Sequence, residues 1–236
     1  MNKKQLYQFE EDIVDIYKKG LLRSPIHLSG SVDGKLEDFL IKLFKKIKPN
    51  DWVFSTYRSH YHSLLKGVKP EWLKEWVLNN KSIHVMNKEH KIVTSAIVGG
   101  CLPIALGVAR AIKINANNLK YPKEKIDGLI TMFIPHVWVF VGDMTARTGE
   151  FKQCLDYADF YDLPVTFVIE DNGLSTDTPT QEVWQSNNAQ HYGHLKRGLR
   201  RGKNRLMRIV YKRKYPHYGV GVFVDFDKAL KQDGKF

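Results

Sequence analysis

The sequence predicts an α/β fold, in which a mainly parallel sheet carries helices on both faces. Residues 136–141 and 163–169 are continuous apolar runs rich in β-branched and aromatic side chains, which is typical of strands buried on both faces. Between them, Phe151, Leu155 and Ala158 recur at helical spacing. A strand, a helix and a second strand of these lengths form a parallel crossover unit, so we expect a parallel sheet around this segment.

Turn residues and helical spacing predict the other elements along the chain. Apolar residues recur at helical spacing from Leu6 until Gly20 and again before Pro49, while Pro70 suits the first turn of a helix. We expect a single domain over residues 1–236 at this length. Its predicted elements are a helical segment over about residues 1–50, a strand over 52–56, a helix over 70–80, a buried helix that begins near Gly100, and a last strand over 220–226.

The composition is that of an ordinary globular protein, because 43% of the 236 residues are hydrophobic and 26% are charged. These values exclude an intrinsically disordered or low-complexity chain. The net charge of +12 is concentrated, since ten of the 37 Lys and Arg residues lie within residues 196–214, where no acidic residue occurs. This basic segment is consistent with a solvated surface or active-site loop, with a docking face for an acidic partner, or with nucleic-acid binding. The last is disfavoured because the chain lacks a recognisable nucleic-acid fold motif.

The start of the chain and its cysteines indicate the compartment. The first helical pattern contains acidic residues and lacks the apolar core of a signal peptide, and no apolar run approaches the roughly 18 residues of a membrane span. Cys101 and Cys154 each lie in an apolar helical pattern, which favours two buried thiols over a disulfide or a metal pair. We therefore expect a cytoplasmic protein without a membrane segment.

Polar residues follow both predicted central strands at their carboxyl ends. Asp143 comes after the first strand and Asn172 after the second. In an open parallel sheet ligands bind at this edge, and one carboxylate with one amide oxygen suits Mg²⁺, which completes its shell with water and phosphate. The backbone amides of Met144 and Thr145 would be placed to meet phosphate oxygens. A structural turn remains an alternative for Gly142-Asp143 taken alone.

Four separated motifs, in order and spacing over about residues 25–180, resemble one family. Together they are similar to the thiamine diphosphate-binding motif and, more narrowly, to the alpha subunits of 2-oxo acid dehydrogenases of the pyruvate, branched-chain and acetoin type. The motifs are Thr56-Tyr57-Arg58-Ser59-His60, the glycine-rich run of residues 95–109, Val141-Gly142-Asp143 with Gly149-Glu150-Phe151, and Leu163-Pro164-Val165 with Glu170-Asp171-Asn172-Gly173.

The resemblance implies a set of cofactor and metal contacts. It also implies that His60 is the catalytic residue, because the matching position lies near the reacting carbon. The implied contacts are Mg²⁺ ligation by Asp143, Asn172 and the Leu174 carbonyl, diphosphate contacts from Tyr57, Arg58, Gly142, Met144 and Thr145, and backbone contacts to the aminopyrimidine ring from Ala96 and Val98.

The sequence departs from the family pattern at several positions. Met144 stands where the motif usually has a second glycine, and Asp171 stands where an Asn usually precedes the metal-binding Asn. The position of Leu174 is commonly aromatic, and residues 30–32 replace the usual Gly-Gln-Glu. Outside the motifs, we expect His62, His84 and His90 at the surface.

The resemblance implies an alpha-type subunit that decarboxylates a 2-oxo acid with thiamine diphosphate and Mg²⁺. The acyl or aldehyde unit would pass to lipoamide or another acceptor, with a lipoyl-bearing acyltransferase as a further partner. In this family a beta-type subunit supplies the pyrimidine-binding domain and the activating glutamate, so we expect a heterotetramer and an incomplete site in this chain alone. The alternatives are a transketolase-like N-terminal subunit and a non-catalytic nucleic-acid or scaffold protein with the same fold.

Overall fold

The fold is known from a computed structural model, which describes most of the chain. The described residues are 1–22, 24–118, 120–121, 123–126, 129–185, 188–197 and 206–216. The helices are α1 (Lys3–Lys18), α2 (Lys35–Phe44), α3 (His60–Leu65), α4 (Pro70–Leu78), α5 (Cys101–Asn117), α6 (Gly149–Phe160), α7 (Thr180–Trp184) and α8 (Asn188–Arg197). The strands are β1 (Trp52–Thr56), β2 (Met86–Asn87), β3 (Ile92–Ser95), β4 (Lys123–Ile126), β5 (Leu129–Met132), β6 (Val137–Gly142), β7 (Val165–Asp171), β8 (Leu174–Ser175), β9 (Thr178–Pro179) and β10 (Leu206–Val210).

A six-stranded sheet forms the centre, with the strand order β10-β7-β6-β1-β3-β2. Four of its five neighbouring pairs are parallel, and the short β2 pairs antiparallel with β3. The pairs β4–β5 and β8–β9 form two small antiparallel sheets of their own. The prediction of an α/β fold with a mainly parallel sheet is therefore confirmed.

Alternate side chains of the central strands enter two separate apolar cores. On β6, Val139 and Val141 pack in the core formed with α5 and α6, while Phe140 packs in the core formed with α1, α2 and α3. Neighbouring β7 repeats this alternation, with Phe167 in the first core and Val168 in the second. A strand whose apolar side chains leave it in both directions must be covered on both faces, so the prediction of helices on both faces is confirmed.

The glycine-rich apolar run forms α5, which begins at Cys101, one residue after the predicted start. Pro103 lies in its first turn, where no helical hydrogen bond is lost. Gly99, just before the helix, has a φ of 79°, and a Cβ at this position would lie 2.6 Å from Oε2 of Glu150 in α6. Glycine therefore allows this turn to approach α6 closely. Cys101 and Cys154 are free and buried, as expected.

Two elements near the site, α3 and β10, differ from the sequence expectations. The helix α3 begins inside the polar segment of residues 57–62, and His62, which we expected at the surface, is fully buried. That expectation is wrong because the His62 ring packs at 4.3 Å from the ring of Phe140 and lies under α2 against Phe44. β10 falls within the basic segment, where it pairs with β7 at the edge of the sheet.

Parts of the remaining expectations lie outside the described residues. These are the predicted last strand over 220–226 and residues 198–205 of the basic segment. The expectation of one domain over residues 1–236 stays a prediction for the same reason. Within the described part of the chain, no helix combines the length and apolar character needed to cross a membrane.

Two buried glutamates of the N-terminal helices hold the loop of residues 29–31. Glu10 of α1 accepts hydrogen bonds from the backbone N–H groups of Ser29 and Gly30, at 2.5 and 2.9 Å. Glu37 of α2 accepts from the backbone N–H and the hydroxyl of Ser31. The loop is therefore attached to both helices through its backbone. Both carboxylates are buried, so each would lose these hydrogen bonds if the loop moved away.

The same loop pairs with the chain that follows β10. The backbone N–H of Lys214 donates to the Gly30 carbonyl at 2.7 Å, and that of Val32 donates to the Lys212 carbonyl at 2.8 Å. The Leu28 carbonyl, just before the loop, accepts a hydrogen bond from the guanidinium of a residue of the predicted site, as described below. The N-terminal helices thus position one side of the site although they contribute no predicted ligand.

Stability should depend on pH through Glu10. Burial raises the pKa of its carboxyl from 4.5 to about 7; Glu37 adds to the increase, and the hydrogen bonds from Ser29, Gly30 and Tyr61 oppose it. Because the folded pKa lies above the unfolded one, the stabilisation is fully present below about pH 4.5 and is lost as the pH rises to about 7. We expect this group to lower the free energy of unfolding by about 3 kcal/mol across that window.

Urea unfolding of the wild type and of Glu10→Gln, measured at pH 5 and at pH 7.5, checks this prediction. The substituted glutamine cannot titrate, so the difference between the two pH values should shrink relative to the wild type. Glu11→Gln, at an exposed neighbouring position, is the control and should keep the wild-type difference. An unchanged pH dependence in Glu10→Gln would contradict the prediction.

Candidate functional site

The predicted ligands converge on one cleft at the carboxyl edge of the sheet. The cleft lies where the neighbouring strands β7, β6, β1 and β3 end. Each strand is followed by residues that line it, because parallel neighbours present their carboxyl ends at the same edge. Of the eleven residues predicted for the site, nine line this cleft, namely Tyr57, Arg58, Val98, Gly142, Asp143, Met144, Thr145, Asn172 and Leu174.

Asp143 follows β6 directly and is almost fully buried, with 1% of its surface exposed. Its Oδ2 accepts a hydrogen bond from the hydroxyl of Thr180 at 2.5 Å. Burial raises the pKa of the Asp143 carboxyl to about 6; Asp171 adds to the increase, and the Thr180 bond opposes it. Among the described residues Asp143 forms no ion pair. A buried carboxylate that faces a cleft without a cation beside it fits the demand of a metal ion for a charged oxygen ligand.

Asn172 and Leu174 belong to one turn after β7. The Oδ1 of Asn172 accepts the backbone N–H of Leu174 at 2.9 Å, and its Nδ2 donates to the hydroxyl of Tyr211 at 3.4 Å. Gly173 between them has a φ of 72°, a conformation that glycine adopts without steric cost. The turn brings an amide oxygen and a backbone carbonyl to the same wall of the cleft as Asp143. These are oxygen ligands of the kind that Mg²⁺ prefers.

Arg58 supplies positive charge to the cleft. Its guanidinium is buried, with 8% of the residue exposed, and donates to the Leu28 carbonyl at 2.7 Å. Burial lowers the pKa of Arg58, although Tyr211 and Tyr57 oppose this decrease. In the part of the chain that the structure describes, Arg58 forms no ion pair. A buried guanidinium that lines a cleft is suited to bind an anionic oxygen group in a bidentate way.

The opposite buried charges of Asp143 and Arg58 therefore test whether the cleft fits the implied groups. Each charge lines the cleft, and among the described residues neither is compensated by the protein itself. A divalent cation would compensate the carboxylate of Asp143, and a diphosphate would compensate the guanidinium of Arg58. The cation and the diphosphate would also neutralise part of each other's charge. The residues present thus fit Mg²⁺ together with a diphosphate.

Tyr57, Met144 and Thr145 complete the lining on the same side. Tyr57 packs with its ring centroid 4.3 Å from that of His27. Thr145 is buried at the start of a short 3₁₀ turn, residues 145–147, which follows β6. Met144 lines the cleft, and its Sδ accepts a hydrogen bond from the indole of Trp184 at 3.0 Å.

The residues predicted to contact the aminopyrimidine ring lie in the turn between β3 and α5. Val98 and its neighbour Ile97 both line the cleft, and they are 57% and 72% exposed. Ala96 is half-buried and is not itself part of the lining, although Ser95 and Ile97 on either side of it are. This wall of the cleft is apolar and faces solvent.

His60 lies away from the cleft lining. The residue is fully buried at the start of α3, its Nε2 is 3.0 Å from the hydroxyl of Ser82, and its ring packs edge-on against Phe9. Burial lowers the pKa of His60 to about 4, so the imidazole is neutral at physiological pH. The structure does not bring His60 together with the nine lining residues, and its catalytic role stays a prediction.

Asp171, one of the departures from the family pattern, is engaged in an ion pair. Both Nε and Nη2 of Arg208 in β10 donate to its Oδ2, at 2.9 and 2.6 Å, and its Oδ1 accepts the backbone N–H of Gly173. The guanidinium of Arg208 also lies 4.3 Å above the ring of Tyr192. The additional charge at Asp171 is therefore balanced from the edge strand, by a residue of the basic segment.

A second buried pair was not predicted from the sequence. The Nε2 of His62 is 2.9 Å from Oε1 of Glu170, which lines the cleft, and its Nδ1 is 3.2 Å from the hydroxyl of Ser55. A neutral imidazole that donates from Nε2 and accepts at Nδ1 satisfies this chain of three side chains. One signal was available: Glu170 is a charged residue inside a strand whose residues are all buried, which requires a buried partner.

The sequence is similar to those of known proteins. A family model described as "Dehydrogenase E1 component" matches residues 27–197. The alpha-3 subunit of the chloroplastic pyruvate dehydrogenase E1 component from Arabidopsis thaliana is 30% identical over 193 residues, 75% of this chain and 42% of the relative. The pyruvate dehydrogenase E1 alpha subunit of Porphyra purpurea is 28% identical over 174 residues, 70% of this chain and 47% of the relative.

A relative with a different named activity matches the same part of the chain. The alpha subunit of acetoin:2,6-dichlorophenolindophenol oxidoreductase from Bacillus subtilis is 24% identical over 181 residues, 72% of this chain and 48% of the relative. The chain spans about two fifths to one half of the length of these curated relatives.

The Asp171–Arg208 pair should stabilise the edge of the sheet beside the site. Arg208→Met leaves the buried Asp171 carboxylate without its cation, and we expect it to lower the free energy of unfolding by about 3 kcal/mol. Adding Asp171→Asn removes the uncompensated charge and should restore much of this loss. Urea denaturation at pH 7 measures both effects. The exposed pair Lys152–Asp156 gives the control, because Lys152→Met should cost less than about 0.5 kcal/mol. Equal losses in the two single variants would refute the assignment.

Proposed function

Because the chain belongs to the dehydrogenase E1 component family, we propose that it is the alpha-type subunit of an enzyme that decarboxylates a 2-oxo acid with thiamine diphosphate and Mg²⁺. The observation that carries the proposal is the single cleft in which buried Asp143 and buried Arg58 both lack a charged partner among the described residues. When bound, thiamine diphosphate would supply the decarboxylation chemistry, which protein side chains do not offer. The acyl or aldehyde unit would then pass to lipoamide or another acceptor.

The residues of this chain would bind and orient the cofactor. Asp143, the Asn172 side chain and the Leu174 carbonyl would hold Mg²⁺, and Arg58 with Tyr57 would bind diphosphate oxygens. The backbone of Met144 and Thr145 would lie along the diphosphate. Charges fixed in this way would interact strongly with the cofactor, because the buried floor of the cleft exposes them to little screening by water. His60, which is neutral and buried, is proposed as the catalytic residue on the resemblance alone.

The site also calls for a second chain. Ile97 and Val98 expose large apolar surfaces at the wall of the cleft, where a solvent-facing position is unfavourable for such residues. We propose that a beta-type subunit covers this wall and supplies the remaining half of the cofactor site, in a heterotetramer. A 2-oxo acid is the proposed substrate, and a lipoyl-bearing acyltransferase is a further proposed partner. The cytoplasmic location stays a prediction from the sequence.

The proposed Mg²⁺ site is tested at Asp143. In the chain assembled with its beta-type partner, Asp143→Ala should abolish Mg²⁺-dependent binding of thiamine diphosphate in titration calorimetry, because the charged metal ligand is lost. Activity on 2-oxo acids should disappear with it. Asp156→Ala, which removes an exposed carboxylate of α6, is the control and should bind like the wild type. If Asp143→Ala binds the cofactor as tightly as the wild type, the metal site is wrong, and activity on sugar phosphates alone would favour a transketolase-like subunit.

A further inference from the structure

Met144 places a long side chain at a sensitive point of the cleft. It directly follows Asp143, and the residue lines the cleft in which the diphosphate is proposed to bind. The methionine side chain has three rotatable bonds and no branch, so in isolation it would sample several positions in front of the backbone of residues 144–145. An anion can approach that backbone only while the side chain is held elsewhere.

Trp184 of α7 makes the contact that directs Met144. Its indole N–H donates to Sδ of Met144 at 3.0 Å, although the indole ring itself remains 44% exposed. A thioether is a weak acceptor, so the contact is important for its direction more than for its strength. It keeps the end of the Met144 side chain on the α7 side of the cleft.

The short helix α7 is itself fixed to both loops that carry the predicted metal ligands. At its first residue, the backbone N–H of Thr180 donates to the Gly173 carbonyl at 2.9 Å, and the hydroxyl donates to Oδ2 of Asp143. Thr180 is fully buried. The position of Trp184 is therefore determined by the same residues that form the metal-binding wall.

We propose that Trp184 is a positioning residue, which holds the Met144 thioether against α7 and so keeps the cleft open for the diphosphate. The inference rests on the proposed function, since it concerns the same cleft. It explains how the cleft accommodates Met144 at a position where the thiamine diphosphate-binding motif usually has glycine. Trp184 acts through Met144 and needs no contact with the cofactor itself.

A double-mutant cycle on the full chain tests this role, with Mg²⁺ and inorganic pyrophosphate as the probe in titration calorimetry. Trp184→Phe keeps the aromatic ring and removes the N–H donor, so the dissociation constant should rise about threefold to tenfold. In the background of Met144→Ala there is no long side chain to direct, and the same substitution should change nothing. The expected result is thus a loss of affinity in Trp184→Phe that is absent when Met144→Ala is also present.

Two further variants keep the test decisive. Met144→Leu removes the Sδ acceptor but keeps the bulk, and it should weaken binding as Trp184→Phe does, even if the latter folds poorly. Val183→Ala, at an exposed neighbouring position of α7, should bind like the wild type. Thermal unfolding confirms that each variant is folded.

The inference is overturned if Trp184→Phe and Met144→Leu bind the probe as tightly as the wild type, or if Trp184→Phe weakens binding equally with and without Met144. In both cases the wild type still binds, and the proposed function stands. A wild-type chain that binds neither magnesium pyrophosphate nor, with its partner, thiamine diphosphate would overturn the proposed function together with this inference.

Discussion

The parallel register between β6 and β7 is the constraint on which the site depends. Val141 pairs with Ile169 and Gly142 with Glu170, so both strands end at the same level of the sheet. The residue after each end, Asp143 in one loop and Asn172 in the other, therefore reaches one cleft. A register shift by one residue would turn the apolar side chains of β7 toward the opposite core and would separate these two ligands. Core packing on both faces of the sheet thus fixes the geometry of the site.

The charges around the cleft fall into two groups with different physical roles. Asp171 is balanced by the guanidinium of Arg208, so this carboxylate is compensated by the chain itself. Asp143 and Arg58 are buried to a similar extent, but among the described residues neither has a charged partner. Asp143 accepts a hydrogen bond from a hydroxyl, and Arg58 donates one to a carbonyl. Burial of an uncompensated charge is costly. The fold accepts that cost at the two positions where a metal ion and a diphosphate are proposed to bind, and avoids it at Asp171.

Local patterns predicted most of the fold and the strand-end ligands, whereas contacts between distant residues were not predictable. Buried runs and the residues after them are properties of short segments, so Asp143, Asn172 and the start of α5 followed from the sequence. The bond from His62 to Glu170 joins residues 108 positions apart. The local pattern indicates at most that Glu170 needs a buried partner, and it does not identify that partner. β10 escaped prediction because it lies inside the basic segment of residues 196–214, which suggested a solvated surface. Its one basic side chain, Arg208, is paired with a carboxylate that only the folded sheet brings near.

Hydrogen-bonded loops form one side of the cleft, whereas the other side is apolar and exposed. After β1, Arg58 is bonded to Leu28, next to the loop of residues 29–31 that Glu10 and Glu37 hold. The loops after β6 and β7 are both bonded to Thr180. The turn after β3 instead exposes Ile97 and Val98 at the cleft wall. A rigid, charged half beside an exposed apolar half is the arrangement expected of a site that two chains complete, because apolar surface gains stability only when a partner covers it. The charged half is where the diphosphate is proposed to bind, and the exposed apolar half is the part that a partner chain is proposed to cover.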